Sequence, residues 1–294
     1  MCNLYDAMKY GFHTYLFTES WSDRSLDILN YGRDLGADVV EIGVGDDVFF
    51  DAAKTRKRAE SLGLELMISP GGLWPAHCDI SDDDPSHRAS GLEWLKRYAN
   101  LAAELGATTF SGALYGHPGH VEKRMPPDDE YSRTAEGLHD IAEYAATKGV
   151  RIALEPMSHF RTHIANKPLQ LARLIRMANH PNLSILIDTY HMITEVRDYG
   201  EAIRNTNGLM MGMHACENDR GVPGGGLVPW DDIFQTLAEI GFDGYIGLES
   251  YNSAQGDFAW RRGMFHDVCP SAQDFIEKGF AFLRKMEKQF FPRS

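Results

Sequence analysis

The sequence contains little cysteine and no long apolar run. Its four cysteines, Cys2, Cys78, Cys216 and Cys269, lie far apart and form no C-x-x-C pair. This spacing argues against a disulfide framework or a structural zinc knuckle, and it is typical of reduced thiols. The N-terminal segment has no apolar stretch of signal-peptide length, and no run approaches the roughly 18 apolar residues of a membrane span. We therefore expect a cytoplasmic protein without a membrane partner.

The sequence is also short of positive charge. It has 29 Lys+Arg against 42 Asp+Glu in 294 residues, a formal net charge of -13. Non-specific binding to nucleic acid or anionic lipid depends on clustered Lys and Arg, so this composition argues against a nucleic-acid partner. A chain of this length fits one large domain or two small ones.

A repeated pattern along the chain predicts alternating helices and strands. Five helix-like stretches end in a glycine that precedes an apolar run: LGAD (35–38), LGLE (62–65), LGAT (105–108), KGVR (148–151) and IGFDG (240–244). Such a glycine is typical of a helix C-terminal cap that leads through a short loop into a strand. Eight apolar runs are predicted to be strands: YGFHTYLF, DVVEIGV, LELMISP, TTFSGAL, RIALEPM, LSILIDT, MMGMHAC and YIGLES.

Segments with helical periodicity lie between these strands. Examples are SLDILNYGRDLG, GLEWLKRYANLAAELG and WDDIFQTLAEIG, which combine apolar and charged faces. Eight β-α units predict an α/β protein with a (β/α)8 TIM barrel, as one domain over residues 1–294. A doubly wound sheet is the alternative, but GVGDD at 43–47 lacks the third glycine of the dinucleotide-binding fingerprint.

Ionisable residues stand at the ends of four consecutive predicted strands. Glu155 ends the fifth strand, Asp188 the sixth, His214 the seventh and Glu249 the eighth. In a barrel these strand ends meet at one mouth. Each residue alone has an ordinary explanation, as a helix cap, a core histidine or a rim charge. Together they place like charges in a desolvated pocket, which is costly without a cation, so the sequence predicts one bound divalent ion.

The predicted ligands indicate which ions would bind. Three carboxylates and one imidazole form an oxygen-rich set without a thiolate, which suits Mn²⁺, Mg²⁺ or Co²⁺ better than a closed structural zinc site. We expect Mn²⁺. Cys216 shares the face of His214 by strand alternation, but we expect it to be a small buried side chain rather than a fifth ligand.

Four motifs, LEP, IDTYHM, HACENDR and GLES, together resemble the D-tagatose/D-psicose (ketose) 3-epimerase family of xylose-isomerase-like barrels. The likeness runs almost end to end and includes GFHTYLFTESW, PWDDIFQTLAEIGFDGYI and AWRRGMFHDV. The resemblance implies that Glu155, Asp188, His214 and Glu249 hold the ion, which binds the carbonyl and an adjacent hydroxyl of a sugar. It also implies a homodimer or homotetramer.

The resemblance further implies roles for individual residues. His191 and Arg220 match residues that hold oxygens near the reacting carbonyl. Glu155 and Glu249 would be two bases on opposite faces of the sugar, one removing a proton beside the carbonyl and the other returning one. A role as ligands alone is the alternative for both glutamates. The predicted activity is therefore epimerisation or isomerisation of a non-phosphorylated ketose or keto-sugar derivative.

One position departs from the family pattern. Arg161 stands six residues after Glu155, where the family carries a glutamate that contacts the sugar near O1 and O2. This charge reversal predicts that D-tagatose and D-psicose are poor substrates and that the true substrate is a modified or oxidised sugar. Arg161 and His159 either line the mouth and bind an electron-rich group such as a carboxylate, or point to solvent from a loop.

Other side chains are candidates for the pocket. Trp260, with Trp21, Trp74 and Tyr115, falls after a strand, and these aromatic side chains either form an apolar wall for the sugar or are simply packed. His13, on the first strand, is a candidate for the pocket floor. His163 is predicted to be structural.

Three other functions fit parts of the pattern. A C-glycoside deglycosidase catalytic subunit, acting on 3-oxo-glycosides, would use the same metal and base to eliminate an aglycone, and it predicts a small partner subunit. An apurinic endonuclease of the endonuclease IV type would need further His and Asp ligands and a basic surface. A non-catalytic sugar-binding protein would not need both glutamates.

Overall fold

The structure is a computed structural model that describes residues 8–206 and 208–291. The described residues form eight strands: β1 (Lys9–His13), β2 (Val39–Val44), β3 (Glu65–Pro70), β4 (Thr109–Gly112), β5 (Arg151–Leu154), β6 (Leu183–Asp188), β7 (Met210–Ala215) and β8 (Tyr245–Leu248). All neighbours pair in parallel in chain order, and β8 pairs with β1 to close the barrel. The predicted (β/α)8 barrel is confirmed, and the doubly wound alternative is wrong.

Helices follow the strands on the outside of the barrel. Those of the described residues are α1 (Asp27–Asp34), α2 (Ala52–Leu62), α3 (Pro85–Leu105), α4 (Asp128–Ala146), α5 (Pro168–Ala178), α6 (Thr189–Met192), α7 (Tyr199–Arg204), α8 (Trp230–Glu239), α9 (Phe258–Arg261) and α10 (Ala272–Phe290). In the part of the chain that the structure describes, no helix is both long and apolar enough to span a membrane.

The predicted glycine caps set the turn from helix to strand. Gly63 follows α2 with φ 65°, and Gly106 follows α3 with φ 67°. Both lie in the left-handed region, which a residue with a Cβ adopts only at a cost. The other three predicted cap glycines, at positions 36, 149 and 241, also have positive φ. The chain can therefore reverse direction within a few residues and enter the next strand.

Four strands end two or more residues before the predicted runs do, because their carboxyl ends turn into loops. The first run was predicted to extend through residue 17, but β1 ends at His13 and residues 14–16 form a 3₁₀ turn. The His13 ring caps this turn, since Nδ1 accepts a hydrogen bond from the backbone N–H of Tyr15 (3.1 Å). Strands β4, β5 and β8 likewise end at Gly112, Leu154 and Leu248.

The interior of the barrel changes from apolar to polar along the strands. A small buried cluster fills the lower part: Val39, Met67, Ala153, Leu186 and Tyr245. Side chains alternate between the two faces of a strand, so the next inward positions belong to polar residues on several strands. These positions are residue 41 on β2, residue 188 at the end of β6 and residue 155 directly after β5. The apolar layer thus supports a polar layer at the carboxyl end.

Some predictions concern residues that the structure does not describe. Residues 1–7, 207 and 292–294 lie outside the described residues, so one domain over residues 1–294 stays a prediction. Cys2 is among them. The other three cysteines, Cys78, Cys216 and Cys269, are buried free thiols, in agreement with the expected packing role.

Candidate active site

Four side chains at the carboxyl ends of β5 to β8 meet in one buried group. Glu155 and Glu249 follow β5 and β8, Asp188 ends β6, and His214 is the penultimate residue of β7. One possible ligand atom from each lies within 4.8 Å of those of the other three. Strand register contributes to this convergence, because Asp188 and His214 are direct partners across β6 and β7. The quartet that the sequence pointed to is therefore assembled by the fold.

The imidazole of His214 is oriented from its far side by Glu41. Its Nδ1 lies 3.2 Å from Oε1 of Glu155 and 3.6 Å from Oε2 of Glu249, so this nitrogen faces the quartet. Its Nε2 lies 2.8 Å from Oε2 of Glu41. The other oxygen of Glu41 accepts a hydrogen bond from Oγ of Ser111 (2.7 Å). A carboxylate behind a ligating imidazole fixes its tautomer and leaves the opposite nitrogen available for a metal.

Glu41 is not among the residues predicted from the sequence, although the sequence carries a signal for it. Glu41 is the one charged residue in β2, VVEIGV, and all six residues of that strand are buried. A fully buried carboxylate is rare unless it has a partner, so its presence within an apolar strand indicates an interior polar contact.

Burial and charge are in conflict within the quartet. Burial raises the pKa of Asp188 to about 7 and also raises the pKa of Glu155. Burial acts in the same direction on Glu249, but the nearby Arg220 guanidinium holds the pKa of that carboxyl well below its usual range. Without a further cation, two of the three carboxylates therefore tend to take up protons. A divalent ion would replace those protons as the counter-charge.

The two oxygens of Asp188 have different environments. Oδ1 accepts a hydrogen bond from the backbone N–H of Tyr190 (2.7 Å) and caps α6. Oδ2 lies 2.8 Å from Nη1 of Arg220, yet it is buried and lacks a hydrogen bond of acceptable geometry in the described structure. Buried polar atoms are normally satisfied, so an unsatisfied carboxylate oxygen beside three other donors fits a bound cation. The donor set also fits a divalent ion that prefers oxygen.

Arg220 reaches the quartet from the loop after β7 through an unusual backbone conformation. Its φ is 67°, a region that costs a non-glycine residue about 1–3 kcal/mol. The hydroxyl of Ser250 donates a hydrogen bond to its carbonyl (2.7 Å) and holds this turn. Nη1 donates to Oε2 of Glu249 (2.8 Å), and the guanidinium lies 4.3 Å from the ring centroid of Tyr190. The strained backbone thus aims a buried cation at two carboxylates.

His191 is held as a neutral ring. Burial and the charge of Arg220 keep the pKa of its ring well below the ordinary value. The backbone N–H of Ser158 donates to Nδ1 (3.3 Å), and Oγ of Ser158 lies 2.8 Å from the same atom. On the other side of the ring, Nε2 lies 3.4 Å from Nη2 of Arg220. His191 and Arg220 therefore face the same space.

Three members of the quartet, Glu155, His214 and Glu249, line a cavity of about 370 Å³. This volume lies within the range of small-molecule sites, about 300–1,000 Å³. The cavity wall also contains four aromatic side chains and several basic ones: Tyr15, Phe160, Tyr190, Tyr251, His13, His191, Arg161, Arg220 and Arg262. Three of the proposed substrate-binding residues, His191, Arg220 and Arg161, therefore line one cavity.

Two proposed substrate-binding residues lie elsewhere, which corrects the sequence interpretation. The side chain of His159 is 66% exposed, and its Nδ1 lies 2.6 Å from Oε1 of Glu195. Trp260 is 61% exposed and does not belong to the cavity wall. The residues that follow them line the cavity instead: Phe160 and Arg161 after His159, and Arg261 and Arg262 after Trp260. Turns between neighbouring residues set these side-chain directions, and the apolar periodicity of a sequence does not predict such turns.

Trp21, Trp74 and Tyr115 are packed side chains and do not form the wall of the cavity. Trp21 is buried and its Nε1–H donates to Oγ1 of Thr55 (3.3 Å). Trp74 stacks on Trp94 at 4.3 Å between ring centroids, in the layer outside the barrel. The hydroxyl of Tyr115 is buried and donates to backbone carbonyls. These side chains are core, and tyrosines from the strand-end loops form the wall.

The two remaining histidine predictions agree with the geometry. His13 lines the cavity and is buried, with Nε2 3.0 Å from Oγ of Ser69. His163 lies outside this cavity, and its Nε2 is 2.8 Å from Oε1 of Glu130 in a buried pair. His13 therefore belongs to the pocket floor, and His163 supports the loop after β5.

Residues 29–285 match the family model described as Xylose isomerase-like TIM barrel. The ketose 3-epimerase of Arthrobacter globiformis is 30% identical over 287 residues, which cover 94% of this chain and 96% of that protein. A solved L-ribulose 3-epimerase has a TM-score of 0.89 at 29% identity and covers 97% of this chain and 96% of its own. The D-allulose 3-epimerase of Methylomonas sp., solved with D-allulose, has a TM-score of 0.88 at 25% identity, and the match covers 96% of this chain and 98% of that one.

These similarities bear on the predictions from sequence. They confirm the resemblance to ketose 3-epimerases and the expected class of enzyme, an isomerase that epimerises sugars. They do not favour the C-glycoside deglycosidase. Among the described residues, one buried quartet of possible metal ligands is found, which does not match the several-metal cluster that an apurinic endonuclease would need.

Proposed function

Because this chain belongs to the xylose isomerase-like TIM barrel family, we propose that it is a divalent-metal-dependent epimerase or isomerase of a ketose or keto-sugar derivative. The observation that carries the proposal is the buried quartet of Glu155, Asp188, His214 and Glu249 at the floor of a sugar-sized cavity. Its relatives act on ketoses, and one was solved with D-allulose bound.

The quartet would hold one divalent ion, with Mn²⁺ expected and Mg²⁺ or Co²⁺ as alternatives. Nδ1 of His214, the unsatisfied Oδ2 of Asp188 and an oxygen each of Glu155 and Glu249 are the available donors. Such an ion, when bound, polarises a carbonyl group as a Lewis acid and acidifies the adjacent C–H. Glu41 would keep His214 in the orientation that binding needs.

Glu155 and Glu249 are proposed to move the proton at the carbon beside the carbonyl. They come from β5 and β8, on different sides of the barrel mouth, so they can approach a bound sugar from two faces. Their environments separate their proton affinities, since burial raises the pKa of Glu155 and Arg220 lowers that of Glu249. One carboxylate can then remove a proton while the other returns one to the opposite face, which inverts the carbon.

His191 and Arg220 are proposed to hold the oxygens of the substrate. The Nε2 edge of neutral His191 and the guanidinium of Arg220 face the same region beside the quartet. Preorganised donors of this kind stabilise negative charge that develops on a carbonyl oxygen when the neighbouring proton leaves. Arg220 is already paired with Glu249 and held by its backbone, so little reorganisation is needed.

The proposal is tested by proton exchange with solvent. The Mn²⁺-loaded protein is incubated in D₂O with a panel of ketoses and keto-sugar derivatives, and deuterium is located by NMR. We expect deuterium at a carbon next to the carbonyl of at least one compound, together with its epimer or isomer. Loss of an aglycone from a 3-oxo-glycoside would instead indicate the lyase, and binding without exchange at any carbon would contradict an enzyme of this type.

We also propose a homodimer or homotetramer, as the family resemblance implies. Light scattering on the purified protein measures the mass in solution and compares it with the 33.0 kDa chain. Copurification of a second, smaller chain in fixed ratio would argue for the lyase alternative.

A further inference from the structure

Two arginines of the cavity have no acidic partner. Arg220 is paired with Asp188 and Glu249. In contrast, Arg161 and Arg262 have no carboxylate within ion-pair distance among residues 8–206 and 208–291, although both line the cavity. The whole chain has a net charge of -13, so uncompensated positive charge at this place is unusual for the molecule.

Arg262 is fixed by neutral groups from three sides of the barrel mouth. Its Nη2 donates to the hydroxyl of Tyr15 (2.9 Å) and to the carbonyl oxygen of Gly71 (2.5 Å). Its guanidinium carbon lies 4.7 Å from the ring centroid of Tyr15 and 5.8 Å from that of Tyr251. These hydrogen bonds and ring contacts hold the planar guanidinium group, and none of the contacting groups carries a negative charge. The remaining nitrogens, Nε and Nη1, stay available to a ligand in the cavity.

Arg161 lies on the loop after β5, and its guanidinium group makes fewer hydrogen bonds than that of Arg262 in the described structure. Its Nε is buried and has no hydrogen-bond partner in the described structure. Its backbone is held at both ends, because its N–H donates to Ser158 (2.8 Å) and its carbonyl accepts from Gly119 (2.7 Å). The same Ser158 supports His191, so the loop that carries Arg161 is tied to the site. A buried guanidinium N–H without an acceptor is costly unless a ligand supplies one.

These observations distinguish the two residues from a third arginine nearby. Arg261 also reaches the cavity wall, but its Nη2 pairs with Glu19 (2.8 Å) and Asp257 (2.9 Å), and its side chain is 59% exposed. Its charge is therefore already compensated on the surface. Only Arg161 and Arg262 combine a place in the cavity wall with the lack of an acidic partner, within the described residues.

We propose that the substrate is a keto-sugar acid and that Arg161 and Arg262 are the residues that bind its carboxylate. This inference rests on the proposed function and specifies its substrate class. A guanidinium presents parallel N–H groups that match the two oxygens of a carboxylate, and such charge-assisted pairs are about twice as strong as neutral hydrogen bonds. A neutral ketose would leave both cations unpaired in the cavity.

Four probes with one carbon skeleton test the substrate class. They are D-fructose, 2-keto-D-gluconate with a carboxylate at C1, D-fructuronate with a carboxylate at C6, and D-fructose 6-phosphate. Calorimetry on the Mn²⁺-loaded protein gives the affinity for each. We expect at least one carboxylate to bind about 10- to 150-fold more tightly than D-fructose. Equal affinity for D-fructose and both carboxylates, or a clear preference for the phosphate, would overturn the inference.

Variants assign the preference to the two arginines. Arg161→Met and Arg262→Met keep an unbranched, largely apolar stem and remove the charge, and the double variant should bind the preferred acid no better than D-fructose. The single variants show which arginine pairs with the carboxylate. Arg261→Met is the matched control and should keep the wild-type preference. If the double variant also keeps it, the carboxylate is bound elsewhere, for example by the ion, and these roles are wrong.

The same samples separate this inference from the proposed function. Deuterium exchange beside the carbonyl reports catalysis, whereas calorimetry reports recognition of the acid. Tighter binding of an acid without exchange in any probe would reject the proposed activity and support the role of the arginines. Efficient exchange in D-fructose, with affinity equal to that of the acids, would support the activity and reject the acid specificity. The comparison among wild-type probes does not depend on how well a variant folds.

Discussion

The carboxylate of Glu41 lies 2.8 Å from Nε2 of His214, on the side of the imidazole that faces away from Glu155 and Glu249. The contact joins the middle of β2 to the end of β7 across the interior of the barrel. Glu41 is itself held by the hydroxyl of Ser111. His214 is thus connected through Glu41 to Ser111 on β4. This series of contacts orients the ring of His214 so that Nδ1 faces the quartet.

Replacing Glu41 by Gln should weaken metal binding although Glu41 is not a ligand. Loss of a carboxylate behind a ligating histidine typically lowers metal affinity about 10- to 100-fold, because the ring is less basic and less well oriented. Competition with a chelating dye measures the affinity for Mn²⁺. Glu130→Gln is a matched control, since Glu130 forms a buried pair with His163 outside the cavity. Wild-type affinity in Glu41→Gln would show that the contact does not act on the metal.

His214→Ala should remove bound metal. His214 supplies the single nitrogen of the quartet, and its loss removes one of the four possible ligands and leaves a gap in the site, which lowers the affinity for the ion. Elemental analysis after dialysis against a low Mn²⁺ concentration measures occupancy per chain, with the wild type expected near one ion. His163→Ala, which removes a histidine outside the quartet, is the control. Undiminished occupancy in His214→Ala would reject the assignment of the ligands.

Glu155→Gln and Glu249→Gln should each lose more activity than metal loss explains. Glutamine can keep an oxygen ligand but cannot accept the proton, so catalysis should fall by about 100- to 10,000-fold, the usual contribution of a general base. Exchange of the substrate proton is measured at saturating Mn²⁺ with occupancy determined on the same sample. If both fully loaded variants exchange at nearly the wild-type rate, the two glutamates are ligands alone and the two-base mechanism is wrong.

His13 should make the protein less stable as the pH falls. Burial lowers the pKa of its ring to about 4, against the neighbouring carboxylates Glu41 and Glu249, which raise it, while His214 and Arg262 lower it further. The unfolded chain binds a proton below about pH 6.5, but the folded chain does not until about pH 4. The unfolded state therefore binds more protons between these values, and acidification through this window favours it by up to about 3 kcal/mol.

The variant His13→Asn tests this pH dependence. It removes the titrating group and keeps a side chain that can bond to Ser69 and to the 3₁₀ turn. Urea unfolding at pH 7 and pH 5, with chelator present in both samples, gives the free energy of unfolding of each protein. The difference between the two pH values should be smaller in the variant. An equal difference in both proteins would show that other groups dominate acid destabilisation.

The barrel and the quartet were predictable because both follow from regular features of the strands. An apolar run recurs in each unit and a glycine cap in five of them, and the carboxyl ends of parallel strands must share one mouth. Glu155, Asp188, His214 and Glu249 could therefore be grouped without any knowledge of loop structure. Glu41 was harder, since it lies within a strand and its role depends on the size and stagger of the barrel.

The cavity wall could not be predicted in the same way because loops lack a period. In the segment after β8, which contains the short helix α9, Trp260 faces solvent, while the following Arg261 and Arg262 reach the cavity. In the loop after β5 the same change occurs between His159 and Arg161. Side-chain direction there is set by individual turns and hydrogen bonds. Residue type alone favoured the large aromatic side chain of Trp260 and missed Arg262.

Asp188 gives the site an internal reporter of its own occupancy. Its Oδ1 caps α6 by accepting a hydrogen bond from the amide of Tyr190, and its Oδ2 lies among the possible metal ligands of the quartet. Any change in the carboxylate on binding an ion therefore reaches that amide through a single 2.7 Å hydrogen bond. The amide resonance of Tyr190 should consequently register loading of the ion and settling of His191 on the same short helix, without a probe attached to the protein.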